Sequence, residues 1–251
     1  MIRVLILLLL LGTPIAAEEI VLGLSQSRVS ITARFDGSEI LVYGAVKREA
    51  PPPESPPLQV IVTVEGPAAE AVVRRKAHRF GLWINSGQVR IDRAPTYYAV
   101  ATTAPLADIL SETEDLRRRI SIPRAIRAVG IASEAADAAS YAEALIRIRE
   151  SEGAYLEEVG GVRLTEATLF RTDVALPANL TEGSYRVRVF LTRGGNVIDE
   201  LESSIDVRKE GLERSLTLLA RDQPLVYGLL SLLIAVVAGW GASAAFRFIR
   251  S

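Results

Sequence analysis

Tyr185-Arg186-Val187-Arg188-Val189-Phe190-Leu191 sets apolar residues against arginines with a period of two, the signature of a half-buried β-strand. On this reading Arg186 and Arg188 stand on the wet face. Arg193-Gly194-Gly195-Asn196 follows as a hairpin turn, and Val197 to Val207 returns as the partner strand, with Leu201, Ser203, Ile205 and Val207 on one side. Upstream, Thr168 to Leu176 is a further strand, closed by the turn Asn179-Leu180-Thr181-Glu182-Gly183. A terminal hairpin of this kind predicts a mainly β fold, an immunoglobulin-like sandwich.

The first half reads the same way. Val29 to Ala33, Ile40 to Ala45, Gln59 to Glu65, Leu82 to Ile84, Val89 to Ile91 and Tyr97 to Ala101 are short strands separated by turn signals such as Asp36-Gly37-Ser38 and Gly66-Pro67. Residues 50–57 are proline-rich and form an extended connecting loop. Between the two β parts, residues 105–160 are alanine-rich and helical in pattern. Tyr141, Leu145, Ile148 and then Tyr155-Leu156 recur at helical spacing, and Ser133 is placed as a cap. These helices pack on the sheet or are inserted between two of its strands.

The ends of the chain are apolar. Arg3, the run Val4 to Leu11 and the small residues up to Ala17 have the form of a cleavable signal peptide over residues 1–17. Leu225 to Phe246 carries no charge and as a helix spans roughly 33 Å, enough for a bilayer core of about 30 Å. Pro224 opens it, Tyr227 and Trp240 sit near its two ends, and Arg247 and Arg250 follow it. Residues 210–223, with Leu212, Leu216 and Leu219, form an amphipathic stretch before it. The expected organisation is a signal peptide (1–17), a β part (18–104), a helical segment (105–160) and a hairpin part completing the sandwich (161–209). An amphipathic juxtamembrane helix (210–223), a transmembrane helix (224–246) and a cytoplasmic tail (247–251) follow. This predicts a single-pass protein of the bacterial inner membrane, its N-terminal domain in the periplasm and its C-terminus in the cytoplasm.

Composition narrows the function. There is no cysteine, which removes disulfides, thiolate metal sites and thiol catalysis together. Histidine occurs once, as His78. The segment from Glu18 to Gln223 contains every acidic residue and all but three of the basic ones, a formal charge of −4 that gives no global attraction to nucleic acid. Acidic residues cluster only at Glu112, Glu114 and Asp115 and at Glu157-Glu158, and neighbouring acids on a helix point apart. No glycine-rich phosphate loop or nucleophile elbow is present. The sequence therefore predicts no catalytic residue, cofactor or metal; an enzyme with a carboxylate site is the weakest of the three functional readings.

Two features are candidate contact sites. Arg74, Arg75, Lys76, His78 and Arg79 form a basic run, either a patch for a small anion or acidic partner or a solvated edge strand whose charges prevent pairing. Trp83, just beyond it, is by default a core residue; exposed beside the basic run, it marks a recognition surface instead. In the apolar helix, Ser231, Ala235, Gly239 and Ser243 fall four apart and make a small-residue stripe. That is either ordinary membrane-helix composition or a face for close helix packing.

Several stretches carry a family resemblance: Gly37-Ser38-Glu39-Ile40 with Tyr43-Gly44-Ala45, Val60 to Pro67 leading to Arg74-Arg75-Lys76, Gly81 to Asn85, and Pro95 to Val100. Gly183 to Val187, Lys209 to Arg214, Leu225 to Gly228 and Gly239-Trp240 continue it. With these the chain resembles the uncharacterised putative transmembrane protein family of alphaproteobacteria. The resemblance implies a periplasmic domain with a membrane anchor and no particular activity. It also implies a partner by association, since such proteins are often encoded beside sulfite-exporter-type permeases. The leading expectation is thus a non-enzymatic binding or accessory subunit beside another membrane protein, such as a transporter, or in a homodimer. The second expectation is a binding module for a small anion that uses Arg74 to Arg79.

Overall fold

The computed structural model describes residues 18–31, 36–51, 53, 55–126, 138–209 and 219–249, with the side chains of 138, 209 and 242–249 outside that description. The expected signal peptide, the cap at Ser133 and most of the amphipathic stretch lie outside the described residues. The chain divides into two compact units, one of residues up to 29 and 35–208, the other of residues 30–34 and 209–251.

The larger unit is mostly β. The described strands are β1 (Glu19–Leu24), β2 (Arg28–Ile31), β3 (Ser38–Lys47), β4 (Leu58–Glu65), β5 (Ala68–Arg79), β6 (Leu82–Pro95), β7 (Tyr98–Thr102), β8 (Tyr155–Val159), β9 (Arg163–Thr165), β10 (Leu169–Leu176), β11 (Gly183–Arg193) and β12 (Asn196–Lys209). Three short helices, α1 (Leu106–Ile109), α2 (Glu112–Arg118) and α3 (Ile122–Ala125), and the longer α4 (Ala138–Ser151) stand between β7 and β8. Among the described residues the first sheet has the order β1-β3-β10-β9 and the second β2-β12-β11-β4-β7-β8, while β5 and β6 pair only with each other.

The two sheets are buried differently, and their sequences explain why. β10 alternates strictly between exposed and buried residues, so the first sheet keeps one face in water. β4 and β7 read as nearly continuous apolar runs because both of their faces are covered. One face of the second sheet carries Val60, Val62, Val64, Tyr185, Val187 and Val189, all essentially inaccessible, and β10 lies against β4 and β7. The Tyr97 hydroxyl ties the layers together by donating to the Ala175 carbonyl at 2.6 Å. The opposite face carries Ile61, Tyr98, Val100 and Phe190, capped by Ile109, Leu110, Ile120 and Ile122 from the helical segment.

The helical segment is a crossover. β8 pairs with β7 in parallel, Tyr98 opposite Tyr155 through Thr102 opposite Val159. Parallel neighbours require a long connection, and residues 103–154 supply it. Tyr155-Leu156 therefore corrects the sequence reading: these residues are strand, not helix. α4 stops at Ser151, the chain turns at Gly153 with φ +68°, and Tyr155 then joins the sheet and buries its ring. A second correction concerns Arg188. The alternation does put Arg186 and Arg188 on the face away from the first sheet, but helices cover that face. Arg188 is only 6% exposed, while Arg186 stays half-buried.

The mainly β class, the helical insertion and the apolar C-terminal helix stand as expected. The tyrosine at the start of β11 donates its hydroxyl back to the Thr181 carbonyl at 2.8 Å, the corner contact known from immunoglobulin-like sandwiches. The strand order does not establish the immunoglobulin-like detail, because the second sheet has six strands and a parallel pair. In the smaller unit, α5 (Pro224–Ile249) contains the span Pro224–Gly241, of mean hydropathy 1.9 and unburied, long and apolar enough to cross a membrane.

Candidate functional site

The β5–β6 hairpin holds the basic run and Trp83. Its base is built into the fold: Val73, Ile91 and Ala94 pack on Tyr141 and Leu145 of α4. Arg75 strengthens this seat, its guanidinium lying 5.0 Å from the Tyr141 ring centroid and donating to Ser140 Oγ at 3.1 Å. β5 has 12 residues, roughly 40 Å of extended chain, and only its proximal part is covered. Among the described residues no third strand pairs with either edge of the hairpin.

Beyond that seat the ribbon is exposed on both faces. Ser86 is the extra residue of a bulge, since Arg75 pairs with Gly87 and Lys76 with Asn85. Directly paired residues share a face. His78 with Trp83 and Lys76 with Asn85 therefore lie on one side, along with Arg74. Ala77 with Ile84 and Arg79 with Leu82 lie on the other, along with Arg75. By alternation the basic run is thus two rows on opposite sides of a ribbon, although Arg74 and Arg75 both line a groove of about 430 Å³ against α4, with Arg147.

Trp83 is 69% exposed, which corrects the default reading of a core tryptophan. The physical reason is that none of the described residues packs over the distal ribbon to make a core. His78 meets the indole edge to face with ring centroids 5.3 Å apart. Leu82 is 68% exposed, Ile84 is exposed as well, and Phe80 projects completely into solvent. Phe80 and Gly81 form a two-residue turn with φ +51° and +81°, the positive values of a type I′ hairpin turn. The first position of such a turn favours asparagine. A phenylalanine there carries the steric cost of the left-handed region, on the order of 1 kcal/mol.

Sequence reasoning missed Phe80, Leu82 and Ile84 as surface residues. The available signal was Phe80-Gly81 standing where a hairpin calls for Asn-Gly. The remaining candidates fall as follows. Glu112, Asp115 and Glu157 line one open groove of about 420 Å³. Glu114 turns instead to Arg117 and Arg118, and Asp115 is occupied in accepting from Ile120 N, Ser121 N and Ser121 Oγ. Among the described residues no three His, Asp or Glu side chains gather as a metal-ligating group. Ser231, Ala235 and Gly239 lie on α5, where the Ser231 hydroxyl donates to the Tyr227 carbonyl at 2.8 Å; the side chain of Ser243 is outside the described set.

A search of curated protein sequences finds no match. Among solved structures, the chain is similar to the crystal structure of Spo0M, a sporulation control protein from Bacillus subtilis. The identity is 10% and the TM-score 0.28, with 82% of this chain and 55% of that one covered. The chain thus spans about half the length of that protein. A family model described as "Putative transmembrane protein" matches residues 19–248, from β1 to the last turns of α5. By a match over nearly its whole length, the chain belongs to that transmembrane protein family.

Proposed function

We propose that this chain is a membrane-anchored, non-enzymatic docking subunit that engages another membrane protein through the tip of its β5–β6 hairpin. In this reading the β-rich unit stands in the periplasm of a bacterial cell and α5 is the single span of the inner membrane. Phe80, Leu82 and Trp83 enter an apolar pocket of the partner. Arg74, Lys76 and Arg79 meet an acidic rim, steering encounter and setting register rather than supplying most of the affinity. The small-residue stripe of α5 gives a second contact face inside the bilayer.

One observation carries this reading: the turn position best filled by asparagine for folding holds a fully exposed phenylalanine, beside an exposed leucine and tryptophan. Folding does not account for that choice, whereas contact with a partner does. A transporter is the partner class that the family resemblance suggested. The test is co-purification from native membranes of the intact chain, of Phe80→Asn and of Trp83→Ser. The expected result is a protein partner retained by the parent chain and lost from both variants. Equal recovery in all three contradicts the proposal.

A further inference from the structure

A second site lies on the helix-covered face of the second sheet, where a cleft of about 210 Å³ is lined by five arginines (93, 118, 119, 186 and 188) with Glu65 and Ala125. The arginines come from three places. Arg186 and Arg188 stand on β11, Arg93 on β6, and Arg118 and Arg119 close α2.

Arg188 is the floor. Its Nη1 donates to the Arg118 carbonyl at 2.8 Å and its Nη2 to the Arg119 carbonyl at 3.1 Å, so the cation is pinned by backbone oxygens. The nearest carboxylate, that of Glu200, is 3.9 Å away, and the buried Nε has no hydrogen-bond partner. Arg118 and Arg186 are engaged more fully: Arg118 pairs with Glu114 at 2.9 Å and with Glu200, and Arg186 pairs with Glu65. The two arginines at the mouth are not. Arg119 forms no ion pair among the described residues. Arg93 reaches only Glu65, at 3.9 Å, and that carboxylate already accepts from Arg186. Counting Glu202, 3.9 Å from Arg186, four carboxylates face five guanidinium groups, and the two exposed forks are the uncommitted ones.

Arg119 is held at φ +53°, just past the end of α2, where glycine or asparagine is the residue folding prefers. The cleft is smaller than the roughly 300–1,000 Å³ of pockets for organic ligands, so it suits a small ion with its waters. Guanidinium forks match the paired oxygens of a phosphate-like group, which a lysine meets only as a point charge. We infer that this cleft binds a small tetrahedral oxyanion of the phosphate or sulfate class, held by Arg93 and Arg119 above the fixed charge of Arg188. The inference stands independently of the hairpin reading, since the cleft shares no residue with the basic run of the hairpin.

Calorimetric titration of inorganic phosphate, and separately of sulfate, into the detergent-solubilised full chain tests it. Saturable one-to-one binding of at least one of the two is expected. Arg93→Gln and Arg119→Asn should each weaken it roughly ten-fold, the scale of one charge-assisted hydrogen bond. Both positions are exposed, and asparagine tolerates the left-handed backbone, so the fold should be kept, which circular dichroism checks. Phe80→Asn and Lys76→Ala, on the hairpin, should leave the affinity unchanged. Absence of binding for both ions, undiminished binding in the Arg93→Gln/Arg119→Asn double variant, or loss of binding on changing the hairpin each overturns the assignment.

Discussion

His78 and Trp83 face each other across the distal hairpin, edge to face with ring centroids 5.3 Å apart, and the indole is nonetheless 69% exposed. The pair is ordered by its own cross-strand contact and not by a core. An exposed tryptophan restrained by such a contact suits a docking element, since less side-chain freedom is then lost on binding.

This arrangement separates stability from recognition. Phe80→Asn relieves the left-handed strain and should raise unfolding stability by roughly 0.5–1 kcal/mol. Trp83→Ser, at an exposed position, should stay within about 0.5 kcal/mol of the parent apart from its cross-strand pair. Thermal unfolding of the purified full chain measures both. A large loss of stability in either variant would place the tip in the core and contradict the docking reading.

Arg188 behaves in the opposite way. It is buried and satisfies two backbone carbonyls at the end of α2. Arg188→Met leaves those two buried carbonyls without their donor, while Glu200 keeps Arg118, and should cost about 3 kcal/mol. Arg188→Lys should recover little, because one ammonium does not reproduce a planar fork. Urea titration gives the comparison; a near-neutral Arg188→Met variant would contradict the account of this face.

Alkali should unfold the protein in a defined window. Burial is the main cause that pushes Tyr98, Tyr155 and Tyr185 up from 10.0 to about 12, and it pushes Tyr97 up as well. A phenol whose folded pKa is raised contributes stability that is complete below the unfolded value. That contribution is lost as pH rises through the folded value. Stability should therefore decline between about pH 10 and pH 12, and tyrosinate absorbance of these four residues should appear with unfolding, not before it. Their titration at pH 10 in a still-folded protein would refute this.

At the acid end the sign reverses. Burial pushes the Glu18 carboxyl up, but hydrogen bonds and charge from Arg193 and Arg48 outweigh it and hold the group below its ordinary 4.5. Arg193 Nη2 lies 2.9 Å from Glu18 Oε2. The stabilisation is present above the ordinary carboxylate value and is lost as pH falls through the lower folded one. Glu18→Gln should be less stable than the parent at neutral pH, with the difference narrowing on acidification; a constant difference across that range would contradict the assignment.

Much of this structure was legible in the sequence, and the failures are of one kind. Periodicity identified most strands and the apolar helix, because a period of two or a long uncharged run reports local geometry. It did not say which layer would cover a face. Arg188 sits on the side that alternation gave it, and only the helical crossover makes that side dry. Trp83 was identified as strand, but its exposure follows from a hairpin that gains no third strand among the described residues, a non-local fact. Tyr155-Leu156 matched helical spacing because a tyrosine and a leucine suit either element. The turn at Gly153 and the pairing with β7 decided the outcome. The arginine cleft was invisible because it gathers residues 93, 118, 119, 186 and 188 from three separate stretches.

The most direct test of hairpin docking is site-specific photocrosslinking in living membranes, with a photoreactive side chain placed at Leu82. A control position is Arg171, on the exposed face of β10. The account predicts a discrete protein adduct from Leu82 that is absent from Arg171 and abolished by Trp83→Ser. Adducts to lipid alone, or the same pattern from both positions, would contradict it.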